Sequence, residues 1–301
     1  MGADLDALRR SLGRVGVWTF AFDAMGVPAI REAARRIEAM GYEALWIPEG
    51  SRSREVFSHL SLLASSTDRV TVASGIANIT ARHPVAMAQG ARTLAEAYPS
   101  RVLIGIGVGH QYSTASRGID WADPIGRMRN YMKQMDETPW SGPEVAPPRV
   151  LAALGPKMLD LASELALGAH TYFVPVEHTS WARARLGPEP VLAVEVTAAM
   201  GDDSQAVQDK ARAWAGGYLE LPNYANNWRR MGFSEAEVSG GGSDRLIDAA
   251  IASGGVDTVA ERVHEHLDAG ADHVCVQILG ETENDAALAA YDELARLLIK
   301  G

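Results

Sequence analysis

Glu49 and His110 are the two side chains whose types and positions suit proton transfer. Each follows a short apolar run directly, ALWIP at 44–48 before the first and RVLIGI at 101–106 shortly before the second. Imidazole and a buried carboxyl can both be tuned towards neutrality, so either residue can protonate or deprotonate a reacting group. The competing role for Glu49 is a carboxylate capping the next helix. For His110 it is a loop contact made without proton transfer. Between them lie two glycine-containing loops, Gly75-Ile76-Ala77-Asn78 and Gly105-Ile106-Gly107-Val108-Gly109. Glycine lets the backbone approach a flat or phosphorylated ligand closely, and amides at a following helix amino terminus can hold a phosphate. A tight strand-to-loop turn explains the same glycines, and the spacing lacks the helix and later acidic residue of a dinucleotide fingerprint. His83, beside Pro84, suits a structural or phosphate-side role. His170 either points into the mouth of a barrel or is a satisfied core group. His59, His178, His264 and His266 fall on helical patterns and read as surface or packing residues. Glu49, His83, His110 and His170 have no recognisable metal-ligand spacing.

The elements that must position these residues alternate along the chain. Near-continuous apolar runs at 14–20, 44–48, 69–76, 101–106, 149–153, 168–173, 190–197 and 272–278 suit strands buried on both faces, hence a parallel sheet. Helical patterns separate them at 27–40, 55–65, 84–97, 124–137, 156–166, 178–186, 203–218 and 257–269, with a last one at 283–299. Eight strands, each followed by a helix, make an α/β fold of the closed (β/α)8 TIM-barrel type, in which active sites sit on the loops at the carboxyl ends of the strands. Gly41 and Gly270 mark helix ends, and Pro84, Pro124 and Pro156 mark helix starts. Segment 219–254, with Pro222 and Gly240-Gly241-Gly242, reads as an insertion carrying helical patterns near 223–231 and 244–252. A proline-rich stretch at 138–148 joins the fourth helix to the fifth strand. The strand pattern resumes after each, so residues 1–301 are expected to form one domain.

Composition narrows the partners. The chain of 301 residues carries a net charge of −10, which argues against a general nucleic-acid binder. Cys275 is the single cysteine and sits within Val274-Cys275-Val276, as a buried core thiol would. Residues 1–14 are charged and lack the apolar run of a signal peptide, and nothing approaches the ~20 apolar residues of a membrane helix. A cytoplasmic location, no membrane partner and a small-molecule substrate are therefore expected.

The ordered set of motifs resembles the bacterial luciferase-like superfamily, specifically its coenzyme F-420-dependent oxidoreductases of actinobacterial type. The resemblance rests on residues 41–49 (GYEALWIPE), 74–78 (SGIAN) with Arg82-His83-Pro84, 101–109, 152–156 (AALGP) and 268–274 (DAGADHV). It spans nearly all of Arg14 to Leu298. Residues 221–224 (LPNY) and 243–246 (SDRL) resemble one subfamily of these oxidoreductases. The resemblance implies a luciferase-like barrel that transfers hydride between the deazaflavin coenzyme F-420 and an unidentified small organic substrate. An FMN-dependent monooxygenase is the alternative, because the same barrel hosts both cofactors. A non-catalytic flavin-binding barrel is a third reading. It further implies a non-proline cis peptide at Gly75-Ile76 behind the ring. The cofactor-lining residues would be Glu49, Gly75, Ile76, Asn78, Gly107, Val108, Gly109, Ala153, Leu154 and Gly155. Family members that oxidise sugar phosphates or alcohols usually carry an Asp-His pair after the second strand; here Glu49-Gly50 stands instead, which puts that chemistry in doubt. A homodimer is expected, with Val56, Phe57 and Leu60 as a candidate face if they do not simply pack on the barrel. Tyr112, Trp121, Tyr224 and Trp228 are candidates for an aromatic mouth.

Overall fold

Short β-branched runs set the strands, and each alternates its side chains between two buried surfaces. The computed structural model describes residues 2–115, 117–119, 122–201, 204–280 and 284–300. Its strands are β1 (Val15–Trp18), β2 (Ala44–Ile47), β3 (Thr71–Asn78), β4 (Val102–Gly107), β5 (Arg149–Ala152), β6 (Gly168–Thr171), β7 (Val191–Met200), β8 (Ile251–Gly254) and β9 (His273–Ile278). All pairings are parallel, running in order from β1 to β7 and then through β9 back to β1, which closes an eight-stranded barrel. Val17, Leu45 and Val72 face outward into the layer shared with the helices. Their neighbours Trp18, Trp46 and Ala73 face inward, with Leu103, Val150 and Cys275, as a two-residue period requires.

The barrel interior is filled rather than open. Trp46 stacks on His170 at 4.6 Å and donates from Nε1 to His273 Nε2 at 3.0 Å. His273 Nδ1 in turn lies 2.9 Å from the Gly13 carbonyl. The helix Gly2–Leu12 closes the amino end through Leu5, Leu8 and Leu12. Charge dominates residues 1–14 in the sequence, and three leucines at helical spacing are the part of it that folds onto the barrel. Cys275 is a fully buried thiol, with Sγ 3.5 Å from the Val194 carbonyl.

Helix boundaries follow their local chemistry. Gly41 adopts φ +105° and ends the helix Val27–Met40, while Pro84, Pro124 and Pro156 open theirs. Among the described residues, no helix is long and apolar enough to cross a membrane. Val56 and Leu60 are wholly buried against the barrel, and Phe57 lies under the Arg82 guanidinium at 5.1 Å. Packing within this chain accounts for all three, and Val56 and Leu60 present no surface to a second copy.

One strand escapes the sequence pattern. The helical pattern read at 244–252 ends at Ala250, and residues 251–254 form β8 instead. The ten-residue β7 outruns β6, which pairs only with residues 191–194. Beyond that point the same edge of β7, at 197–200, takes up β8. A four-residue run ending in Ser253-Gly254 carries no strand signal of its own; the open edge supplies the partner.

Candidate active site

At the carboxyl edge of the barrel lies a cavity of about 1120 Å3. Its walls come from the loops after β1 to β5, from β6 and from the helices Ser204–Leu219 and Pro222–Arg230 of the long connection between β7 and β8. The candidate proton-transfer residues Glu49 and His110 and all the candidate cofactor-lining residues border it.

Glu49 is held as a brace. Its carboxylate takes a two-pronged contact from Arg82, Nη1 donating to Oε2 at 2.8 Å and Nη2 donating to Oε1. Oε2 also accepts from the Asn78 amide at 2.8 Å, and Oε1 from the Val56 amide at 3.4 Å, at the start of the helix Val56–Ala64. The side chains of Glu49 and Arg82 are only 6% and 11% exposed. The pair ties the loop after β2 to the loop after β3, and all the carboxylate's strong acceptor directions are spent within the protein. Asn78 continues the brace, its Oδ1 accepting from Thr80 N and Oγ1 at 2.9 and 2.8 Å.

His110 borders the open cavity with its ring 5.7 Å from that of Tyr224. Burial pushes its pKa below the usual histidine value, and a side-chain hydrogen bond with Asn223 works against that shift. It is therefore a neutral imidazole at neutral pH, able to donate or accept. His83 caps the next helix, with Nδ1 3.3 Å from the Val85 amide. His178 lies 2.9 Å from the Leu154 carbonyl and His266 2.8 Å from Thr179 Oγ1, both as packing groups. Arg54 is spent on the Phe22 and Met25 carbonyls.

Two glycines shape the cradle. A Cβ on Gly107 would lie 2.5 Å from Ile76 Cδ1, and Gly109 has φ +73° with Asn78 Nδ2 where its Cβ would stand. A non-proline cis peptide joins Gly75 to Ile76 between them and β2. At the far end, the helix Pro156–Leu165 points its amino terminus at the cavity, flanked by Lys157 and Arg230. The Arg230 guanidinium rests 5.7 Å from the Trp181 ring and donates to Asn227 Oδ1 at 2.8 Å. A helix amino terminus with two cations is an anion site in its electrostatics.

Several lining residues carried no usable signal in the sequence. Phe20, Tyr172, Trp214, Tyr218 and Tyr224 form one aromatic wall, with ring centroids between 5.1 and 6.4 Å for the contacts that join them. Tyr224 was a candidate; Trp228 instead packs fully buried between Phe173 and Phe233, behind the wall. Trp121 and the side chain of Tyr112 lie outside the described residues. Tyr172 donates to Gln277 Oε1 at 2.6 Å, and Tyr218 donates to Tyr172 at 3.1 Å. Below them Glu195 is completely buried, its carboxyl accepting from the Phe173 amide at 3.2 Å and Thr197 Oγ1 at 2.6 Å. Burial raises its pKa to about 8, so it is mostly neutral at pH 7.

A closed parallel barrel with a cofactor-sized cleft at its carboxyl edge defines a broad class of α/β-barrel proteins, and sequence comparison narrows it. Residues 14–273 match the model of the luciferase-like monooxygenase family, and the chain belongs to that family. It is 27% identical over 285 residues to 5,10-methylenetetrahydromethanopterin reductase of Archaeoglobus fulgidus, covering 79% of this chain and 85% of that one. It is 25% identical over 162 residues to an F-420-dependent glucose-6-phosphate dehydrogenase of Microbacterium testaceum, covering 44% of this chain and 48% of that one. The chain thus spans about half the length of some of the curated relatives it matches. In structure it is similar to the coenzyme F-420-dependent tetrahydromethanopterin reductase of Methanopyrus kandleri, with a TM-score of 0.76, 18% identity and coverage of 95% of this chain and 98% of that one.

Proposed function

We propose that this protein is an oxidoreductase that moves a hydride between coenzyme F-420 and a small organic substrate. The observation that carries the reading is one cavity whose lining runs from the glycines of Gly107–Gly109 to the amino end of the helix Pro156–Leu165 with Lys157 and Arg230. A flat ring joined to an anionic tail needs both. Gly107, Val108 and Gly109 would face the ring on one side; Ala153, Leu154 and Gly155 would lead to the tail, where Lys157 and Arg230 balance its charge. When bound, the deazaflavin supplies hydride chemistry at its carbon 5, and the protein supplies placement and electrostatics. Glu49 serves as a brace through Arg82 and holds Asn78 in place. His110, whose neutral ring borders the cavity, would exchange a proton with the reacting group. The long aromatic wall gives that space an apolar side. The relatives named for F-420-dependent activity support the choice of cofactor.

Fluorescence titration of the purified protein with oxidised coenzyme F-420, run beside FMN, tests this reading. Tight deazaflavin binding with weak FMN binding is the expected result. A preference for FMN would move the assignment to a flavin-dependent monooxygenase, and binding of neither would sink the cofactor assignment. Gly107→Val is expected to weaken F-420 binding by at least about tenfold while near-ultraviolet circular dichroism is retained, because its side chain drives Ile76 into the slot. His110→Ala is expected to lower kcat about 100-fold with F-420 affinity held within twofold, as loss of a proton-transfer group should. A variant of unchanged kcat would remove His110 from the chemistry.

A further inference from the structure

One helix of the connection between β7 and β8 meets His110 at the cavity. The helix Pro222–Arg230 places Asn223 and Tyr224 in the cavity lining, and both act on the imidazole. The Tyr224 ring lies 5.7 Å from that of His110, tilted by 44°. The Asn223 side chain makes a hydrogen bond with the same ring. That bond favours the charged form, as an amide oxygen accepting from an imidazole N–H does.

The main chain at His110 is fixed by other groups. Gly109, at φ +73°, turns the chain after β4. The His110 carbonyl then accepts from the Thr114 amide and hydroxyl, both at 3.0 Å, where the short helix Gln111–Ala115 begins. Those bonds leave the two side-chain torsions to the groups around the ring. An imidazole that moves a proton must keep one orientation and present one tautomer. An acceptor at one ring nitrogen puts the proton there and leaves the lone pair on the other.

Asn223 is placed to do this. The start of its helix is served without it: Leu221 is the N-cap with no side-chain cap, and the Tyr224 and Ala225 amides donate to the Leu221 carbonyl at 3.0 and 3.1 Å. Asparagine inside a helix is otherwise neutral or unfavourable, so local structure gives no reason for it here. The next residue anchors the turn. Tyr224 is buried against the rings of Tyr172, Phe173 and Tyr218 at 6.4, 5.8 and 5.1 Å, which fixes where the neighbouring side chain can reach.

We propose that Asn223 is the positioning residue of His110, its amide oxygen holding the imidazole in one orientation and one tautomer at the edge of the cavity. The pairing rests on the contacts of the helix Pro222–Arg230; its use in proton transfer rests on the hydride-transfer reading above.

The test is NMR of the purified protein labelled with 15N at histidine, His110 being assigned by the signals lost in His110→Gln. In wild type at neutral pH, the two ring nitrogens of His110 are expected at the separate protonated and unprotonated shifts of a single tautomer. Asn223→Ala is expected to draw them together towards the average of exchanging tautomers, and to lower the titration midpoint of the ring. Asn223→Asp sets a carboxylate where the amide was and is expected to raise that midpoint by about one pH unit. Both variants should fold, because Asn223 is exposed and an acidic residue in the first turn suits the helix dipole. Near-ultraviolet circular dichroism checks this. Unchanged His110 shifts and midpoint in both folded variants would overturn the proposal and leave the ring to Tyr224. The same samples titrated with F-420 separate the two ideas. His110 signals that respond to Asn223 but not to F-420 keep the pairing and sink its place beside the cofactor; signals that respond to F-420 but not to Asn223 do the reverse.

Discussion

Arg82→Ala is expected to destabilise the protein by about 3–5 kcal/mol, the cost of leaving a buried carboxylate without its cation. Glu49 is nearly inaccessible, and its remaining partners are two backbone amides, Asn78 N at 2.8 Å and Val56 N at 3.4 Å. Those amides do not neutralise the charge. Thermal unfolding should show the midpoint fall by roughly 5–10 °C. Arg82→Lys keeps the charge but not the planar fork, and an intermediate loss is expected. Glu49→Gln should cost less than Arg82→Ala, because Arg82 retains Glu55, 3.1 Å away and half exposed, together with solvent. F-420 affinity should fall with Arg82→Ala too, since the pair fixes the amide of Asn78 beside the glycine slot. A loss below about 1 kcal/mol would show that the pair is screened like a surface contact and that the loops after β2 and β3 are held by something else.

The contrast between Glu49 and Trp18 explains which parts of the site could be read from the sequence. Glu49, Gly107 and Gly155 sit just past strands whose apolar runs are plain, and the barrel rule carries every such position to one edge. Their convergence is a property of topology. The partners that decide what each residue does are not local. Arg82 lies 33 positions from Glu49, and nothing in the order of residues marks it as the cation that occupies that carboxylate. Trp18 lies within a run that reads simply as core, and His170, three strands away around the barrel, is open in the sequence between the barrel mouth and a core group. The aromatic wall came through in part, with Tyr224 in it and Trp228 behind it, because a helix with both residues on one side does not tell which is nearer the cavity. β8 was hidden for the same reason as Arg82, since its existence depends on how far β7 outruns β6.

Glu195→Gln is expected to stabilise the protein at pH 8 and to make stability independent of this site. The folded carboxyl titrates near pH 8 and the unfolded one near 4.5. Between those values the folded state holds a proton that the unfolded state has released, so stability falls as pH rises through that window. The buried imidazoles of His59, His170, His178, His266 and His273 act in the opposite sense, because burial holds their pKa values at about 3 to 4, below the unfolded value of 6.5. Their contribution grows as pH rises through 6.5 and is complete about one unit above it. From pH 6.5 to 8 the unfolded chain gives up the last half-proton on each of these five imidazoles, which together adds roughly 2 kcal/mol, while Glu195 removes a similar amount. Wild type should therefore stay nearly level from pH 6.5 to 8 while the glutamine variant gains roughly 2 kcal/mol, and below pH 6.5 the two should both gain with rising pH, the variant more steeply. Glutamine preserves the acceptor for the Phe173 amide and a partner for Thr197, so the variant isolates the charge. Parallel stability curves across pH 6.5–8, measured by chemical denaturation, would mean that Glu195 is already ionised in the fold, and a buffered cation or water would then have to lie beside Tyr172 and Cys275 beneath the aromatic wall.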